Sequence, residues 1–506
     1  MKRFPAAVLL SGLALLSAPG CDDTVKNTVG DSQIDASPDL PDASPDAGDT
    51  GDTAAPACAP APDLPSQRLT IDGTRFRDAL GREVMLRGAN TGGRSKLPPF
   101  FPFQFSASAT PAEFTAAADG YFARMASWGL RTARMPFTWE ALEPTRGTFD
   151  EAWLARYEAT VDAAGAHGIR VIVDFHQDLF ARPYCGDGFP LWTLPQPIPE
   201  RPEDCKTWFL GYFIDPQQRL AFDRLWANTD GIQDAMEAMW RFMAKRMWTH
   251  PAVIGFEVLN EPAEGSAKVE EWAPQVLTPF INRMAAAIRA EAPGALIFFD
   301  STGVEATKQT TSLARPTGDD LAFAPHFYDQ TIFIAGDGDP AVAKAVANWS
   351  KQRAAWTLPV LIGEFGIPRT GGGVSTYSRA VWDVLDEELL HGTVWEYSDT
   401  PDEWNEEGMS LVGLDGQEAL SALEAIRVYP SAVAGQITSF SFDRATLHAT
   451  LVWQATEGTT ELAAPARLYP TGPEATLTGV TGCTTWQDGI LRVRTTSAGE
   501  ATLILR

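Results

Sequence analysis

Two glutamates stand where apolar runs stop. Glu261 ends the stretch Val253-Ile254-Gly255-Phe256-Glu257-Val258-Leu259-Asn260-Glu261-Pro262, and Glu364 lies near the end of Pro359 to Gly366 (PVLIGEFG). A lone strand-end glutamate is more often a loop cap or an ion-pair partner. Two of them, each in its own motif (Leu-Asn-Glu-Pro and Ile-Gly-Glu-Phe-Gly), can cut a glycosidic bond. One carboxyl, held protonated, donates to the leaving oxygen while the other attacks the anomeric carbon. A separation of about 5 Å is expected, the spacing that retains anomeric configuration. Other chemistries find less support. The six His show no His-x-x-x-His spacing and the Cys no Cys-x-x-Cys, so no metal is expected. No Gly-x-Ser-x-Gly elbow is present for a serine hydrolase.

The element that carries Glu261 is too short for a helix and too apolar for a half-exposed strand. It reads as a strand buried on both faces and stopped by Pro262. Runs of this kind recur at Arg82–Asn90, Arg131–Trp139, Ile169–Asp178, Val253–Pro262, Ala295–Thr302, Leu321–Asp329, Pro359–Gly366 and Gly392–Asp399. Amphipathic segments such as Asp150–His167, Asp234–Trp248, Val276–Ala292 and Tyr377–His391 lie between them. The alternation predicts an α/β fold, a (β/α)8 TIM barrel over residues 67–428, with its chemistry at the C-terminal rim of the strands. A doubly wound sheet is the rival, but no Gly-x-Gly-x-x-Gly turn follows the first run. At that rim the sequence places Asn90, Arg134, Trp139, His176, Asp178, Asn260, Glu261, His326, Tyr328, Glu364 and Trp395. After Tyr429-Pro430, short alternating runs (Gln436–Phe442, Thr446–Trp453, Thr476–Val480, Ile490–Thr495, Ala501–Leu505) predict a small antiparallel β-sandwich over 429–506.

A net charge of −25 excludes nucleic acid and an anionic membrane surface as partners. The 16 Trp offer flat apolar faces that suit sugar rings as well as cores. Met1-Lys2-Arg3 and the apolar run Ala6 to Ala18 predict an export signal over 1–21, too short to span a bilayer. Its end, Leu16-Ser17-Ala18-Pro19-Gly20-Cys21, resembles a bacterial lipoprotein signal with Cys21 lipidated; ordinary cleavage and secretion is the alternative. The protein is thus expected in the bacterial cell envelope or outside the cell. Residues 22–66, with ten Asp and one Lys between 22 and 63, predict a disordered acidic tether. Export permits disulfides. Cys185 and Cys205, flanking a Pro-rich loop, are the expected bridge, and Cys58 and Cys483 are left over.

Asn260-Glu261-Pro262, Gly363-Glu364-Phe365-Gly366, Arg134-Met135-Pro136 with Trp139, and Pro325-His326-Phe327-Tyr328 resemble the signatures of glycoside hydrolase family 5, retaining (β/α)8 enzymes. Further stretches are similar to its endoglycoceramidase branch, which releases the whole oligosaccharide from a glycosphingolipid. They are Trp139-Glu140-Ala141-Leu142-Glu143-Pro144, Asp174-Phe175-His176-Gln177-Asp178, Gly186-Asp187-Gly188-Phe189-Pro190-Leu191-Trp192, Ala221 to Asn228 and Tyr429 to Gly435. The resemblance implies Glu261 as acid/base, Glu364 as nucleophile, Asn260 as partner of the sugar 2-hydroxyl, and Arg134 and Tyr328 as supports of the nucleophile. It implies Lys96, His176, Asp178, Trp192, His326 and Trp395 as sugar-binding residues, with no cofactor. Glu396 and the long loop between Cys185 and Cys205 depart from the branch.

The leading expectation is a monomeric endo-β-glycosidase acting on glycosphingolipids or other β-glycolipids, meeting the membrane only through the lipid anchor and the substrate. A steryl glucosidase or a family 5 endo-glucanase acting on polysaccharide is the second reading, and a catalytically inactive carbohydrate-binding surface lipoprotein is the third. A lipid substrate asks for an apolar lip beside the sugar site. Leu97 to Phe105 is the candidate, with a buried loop as its alternative.

Overall fold

A computed structural model describes residues 58–506 apart from 65 and 308. The expected export signal, Cys21 and the expected tether up to residue 57 lie outside the described residues. The ordered chain opens with three short strands, β1 (Thr70–Asp72), β2 (Arg75–Arg77) and β3 (Glu83–Val84). Then come the barrel strands β4 (Arg87–Asn90), β5 (Thr132–Phe137), β6 (Arg170–Phe175), β7 (Val253–Glu257), β8 (Leu296–Phe299), β9 (Leu321–Phe323), β10 (Leu361–Ile362) and β11 (His391–Val394). Each pairs in parallel with the next from β4 to β9, β10 pairs with β11, and β11 returns to β4. A parallel bridge from Phe323 to Val360 closes the ring between β9 and β10.

Helices cover the outside of this ring. Pro111–Ser127 starts at Thr110, whose hydroxyl accepts from the Glu113 N–H while the Glu113 carboxylate accepts from the Thr110 N–H. Glu151–Ala166 is capped by Asp150. Each cap satisfies amide donors that the first turn leaves free. Among the described residues no helix is long and apolar enough to cross a membrane.

Strand alternation divides the barrel interior into an apolar floor and a polar rim. Ile172, Leu296, Phe298, Ala322, Ala324 and Leu361 are fully buried in the floor. Further along the same inward faces stand Asp174 on β6, His176 just after it, Asp300 after β8 and His326 after β9. Phe76 from the β1–β2 hairpin plugs the floor, its ring 6.1 Å from Phe298 and 4.7 Å from His391.

The C-terminal strands are β12 (Tyr429–Val433), β13 (Gly435–Asp443), β14 (His448–Ala455), β15 (Gly458–Ala463), β16 (Ala475–Thr478), β17 (Gly482–Gln487), β18 (Ile490–Thr495) and β19 (Gly499–Leu505). They form two antiparallel sheets, ordered β1-β2-β3-β12-β15-β18-β17 and β13-β14-β19-β16. Residues 70–84 therefore belong to the sandwich, which differs from a barrel beginning at 67. The run Arg82–Asn90 is continuous in sequence but changes partners: Val84 pairs with Ala432, and Ala89 pairs with Val394. Strands β15 and β17 escape the sequence reading because their Thr-rich faces lack a long apolar alternation.

Cys185 and Cys205 form a disulfide that closes a loop with a sequence separation of 20. Cys58 lies against Thr484 and Thr485 of β17, beside Cys483, without a bridge between the two. Replacing both Cys185 and Cys205 by Ser is expected to cost about 3 kcal/mol on the chain-entropy account of a loop this long. Thermal unfolding with and without reductant checks this, since reductant should lower the wild-type midpoint and leave the variant's unchanged.

Candidate active site

Arg134, from β5, is the fully buried centre of the rim. Its Nε and Nη2 donate to the two oxygens of Glu257, both at 2.8 Å. Nη1 donates to Glu364 Oε1 at 2.7 Å and to Asn90 Oδ1 at 2.9 Å, and Nη2 donates to Asn260 Oδ1 at 2.8 Å. Asp174 lies 3.2 Å from Nη2. Burial alone would disfavour this charge. Asp174, Glu257 and Glu364 outweigh it and hold the guanidinium pKa above its ordinary value.

Glu364 is fixed from two sides, by Arg134 and by Tyr328, whose hydroxyl donates to Oε2 at 3.0 Å. His326 stands between the two glutamates, with Nδ1 2.7 Å from Glu261 Oε1 and 3.5 Å from Glu364 Oε2. One oxygen of Glu261 lies within 4.8 Å of one oxygen of Glu364. That spacing leaves no room for a water to attack from the far side of a sugar ring, as inversion requires, and fits direct attack by one carboxylate.

The two carboxyls sit in different fields. Burial and the Asp178 carboxylate push Glu261 up to about 7. Burial lowers His326 to about 3, so its contact with Glu261 joins a neutral imidazole to a carboxyl and is no ion pair. Glu261 is also held in an unusual backbone conformation, with φ +38°. Strain of this kind costs roughly 1–3 kcal/mol and persists only where neighbours enforce it. Here the Gln177 amide donates to the carbonyls of Asn260 and Glu261 at 2.8 and 2.9 Å, and the Glu261 N–H donates to Asp300 Oδ2 at 3.2 Å. A Cβ on Gly303 would lie 2.6 Å from Glu261 Oε2, so that position has no space for a side chain. Asn260 gives its oxygen to Arg134 and donates from Nδ2 to the Gln177 carbonyl at 3.0 Å, which leaves one amide hydrogen for a substrate hydroxyl.

A second group of predicted residues gathers beside the pair. Lys96 Nζ donates to Asp178 Oδ2 at 2.5 Å and lies 4.3 Å from the centroid of Trp395 and 4.0 Å from that of Trp404. His176 stacks on Trp395, with centroids 5.2 Å apart, and its Nδ1 meets Asp174 Oδ2 at 2.8 Å. Burial and Lys96 oppose a proton on His176. Asp174 and Asp178 overcome them and raise it to about 10, so the ring is an imidazolium at neutral pH. Trp192 stands apart: its indole donates to the Glu143 carbonyl at 3.0 Å and its ring meets the edge of Trp139.

Glu257, Gln177, Asp300, Asp187, Tyr212 and Trp404 also belong to this network, although the sequence assigns none of them a role of its own. A charged residue inside the apolar run VIGFE was the available signal for Glu257. Asp187 is fully buried, with neither oxygen hydrogen-bonded, and burial pushes it up to about 8. Glu396 is also buried, accepting from the Ser398 hydroxyl at 2.7 Å beneath Gly93, so it supports the loop. The Leu97–Phe105 loop takes the buried alternative in its apolar centre: Phe101 and Phe103 are buried, with their rings 5.0 and 5.4 Å from Phe114. Ligand-type atoms of Glu257, Asp300 and His326, and of Glu261, His326 and Glu364, also come within 4.8 Å of one another. Arg134 already supplies a cation to Glu257 and Glu364.

Residues 97–401 match the profile of cellulase (glycosyl hydrolase family 5), and residues 427–504 match the glycoside hydrolase family 5 C-terminal domain. Endoglycoceramidase I of Rhodococcus hoagii is 28% identical over 415 residues, 76% of each chain. The ergosteryl-beta-glucosidase of Saccharomyces cerevisiae is 33% identical over 144 residues, 25% of this chain and 19% of that one. The solved structure of endo-glycoceramidase II from Rhodococcus sp. superposes with a TM-score of 0.70 at 25% identity, covering 85% of this chain and 98% of that one. With a closed barrel, a carboxyl pair at its rim and a family match spanning both parts of the fold, the chain belongs to glycoside hydrolase family 5.

Proposed function

We propose that this protein is a retaining endo-β-glycosidase that hydrolyses the bond between oligosaccharide and ceramide in glycosphingolipids. The approach of Glu261 to Glu364 within 4.8 Å carries the reaction type. Similarity to endoglycoceramidase I across 76% of both chains supports the substrate class. Glu364, oriented by Arg134 and Tyr328, attacks the anomeric carbon as Glu261 protonates the departing ceramide oxygen. Glu261 then takes a proton from the water that frees the sugar. Lys96, His176, Asp178, His326 and Trp395 hold the sugar next to the scissile bond, and the remaining Asn260 amide hydrogen meets its 2-hydroxyl. Cys21 anchors the exported chain; the charged start and apolar run support export, and the Cys185–Cys205 bridge suits an oxidising compartment.

Chromatography and mass spectrometry of the products test this reading. Purified protein should release intact oligosaccharide and free ceramide from lactosylceramide or a ganglioside. Turnover of ergosteryl glucoside in preference to these would favour the steryl glucosidase reading, which the match to the yeast enzyme supports. Turnover of carboxymethylcellulose alone would favour a glucanase, and no turnover of any β-glycoside would favour an inactive binding protein.

The field around Glu261 sets a pH dependence. Its proton must be present for the leaving group to depart, and the group lies at about 7. Glycolipid turnover is therefore expected to fall as pH rises through about 7. Glu261→Ala should remove that alkaline limb and slow glycolipid cleavage by roughly 10²–10⁴-fold, the usual worth of acid catalysis. Formation of the glycosyl-enzyme from an aryl β-lactoside, whose leaving group needs no proton, should suffer far less. A pH–rate profile on both substrates separates the outcomes.

A further inference from the structure

The segment Trp208–Ile214 has two unlike faces. It follows the Cys185–Cys205 bridge in the loop after β6. In a closed ring of eight strands, β6 and β10 stand opposite one another. The segment reaches residues that follow both neighbours of β10: Trp208 meets Trp404, beyond β11, with centroids 4.8 Å apart, and Phe209 meets Phe333, beyond β9, at 5.3 Å. Phe333 packs on Tyr328, which holds Glu364. The Tyr212 hydroxyl lies 3.4 Å from Asp178 Oδ1 and accepts from the Leu179 N–H at 3.1 Å. The inner face is thus a strap across the mouth of the sugar site.

The outer face is apolar and open. Ile214 is 72% exposed and Phe213 54%, and Leu220 of the following helix is also exposed. No other exposed large apolar residues of the described chain stand two together in sequence. The surrounding charges (Glu203, Asp204, Lys206, Asp215, Arg219) are mixed and slightly acidic, so an anionic partner would gain nothing here. Exposed aromatic and branched side chains beside a site that takes a polar head group suit insertion into the surface from which that head group projects.

We propose that Phe213 and Ile214 dock the enzyme on the surface of a zwitterionic lipid bilayer, with the strap's inner face left over the sugar. This deepens the glycolipid reading and rests on it. The test uses the mature chain from residue 22 with Cys21 omitted, so that neither the apolar run Ala6 to Ala18 nor an acyl anchor contributes, and its Phe213→Ser/Ile214→Ser derivative. Both residues project into solvent, so folding should not depend on them. Flotation with phosphatidylcholine vesicles should show the parent bound and the derivative bound at least about 10-fold more weakly, a lower bound for two apolar side chains that no longer leave water. Turnover of lactosylceramide embedded in those vesicles should fall by a similar factor, while an aryl β-lactoside in solution is cleaved at the parental rate. Leu80→Ser, an exposed residue between β2 and β3 at the opposite end of the barrel, should change neither. Equal vesicle binding by parent and derivative, an equal loss with Leu80→Ser, or a parent that does not float would overturn the proposal. If the parent floats and the derivative does not, but no glycolipid is cleaved, docking stands and the substrate reading fails. If detergent-dispersed glycolipid is cleaved while flotation is unaffected by the substitutions, the substrate reading stands and docking fails.

Discussion

Glu364→Gln should lower turnover of any β-glycoside substrate by about 10⁴-fold or more, the scale seen when a covalent nucleophile is removed from an otherwise intact site. The amide has nearly the size of the carboxylate and can still meet Arg134 and Tyr328, so the fold should survive. What it loses is the lone-pair density that forms the bond to the anomeric carbon. Single-turnover kinetics with an aryl β-lactoside, run beside thermal unfolding, check both halves. A variant that unfolds early would show a structural defect, and one that keeps substantial activity would remove Glu364 from the reaction.

Arg134→Met should be the more damaging change to the protein as a whole. The guanidinium is completely buried and touches Glu257, Asp174 and Glu364 at 3.2 Å or less. Without it, those carboxyls face one another without a cation, and buried charges left unpaired cost about 3–5 kcal/mol. Glu364 would also lose the guanidinium that orients it toward the anomeric carbon. Activity should therefore fall along with stability. Arg134→Lys keeps the charge but cannot fork across Glu257 while also reaching Glu364 and Asn260, so it should recover part of the stability and little of the activity. Denaturant unfolding of the three proteins at one pH gives the comparison; equal midpoints would show that Arg134 does not hold the rim together.

The sequence exposed the catalytic geometry where a chemical group interrupted a periodic pattern. Toward the end of each apolar barrel run stands a polar, ionisable or aromatic residue, and this pattern placed Glu261, Glu364, Arg134, His176, His326 and Trp395 on one rim. The departures arose where contacts depend on tertiary partners. Arg82–Asn90 looks like one strand, yet Val84 pairs in the sandwich and Ala89 in the barrel, because the chain crosses from one to the other at Met85-Leu86. Gln177 reads as an ordinary polar neighbour of His176, and only the fold reveals that its amide holds the strained turn at Glu261. Phe101 and Phe103 carry the hydrophobicity expected of a lip, but Phe114 gives them somewhere to be buried. Phe213 and Ile214 have no such partner, and a sequence does not tell the two cases apart.

The most direct measurement is to trap the intermediate. A 2-deoxy-2-fluoro-β-lactosyl fluoride slows the second step more than the first, so the sugar should accumulate on the attacking residue. Proteolysis and mass spectrometry are expected to find lactosyl mass on the peptide containing Glu364, with none on Glu261, and the first sugar released from a natural substrate should keep the β configuration by NMR. A label on another residue, or initial release of the α anomer, would contradict the assignment of the two carboxyls on which the account rests.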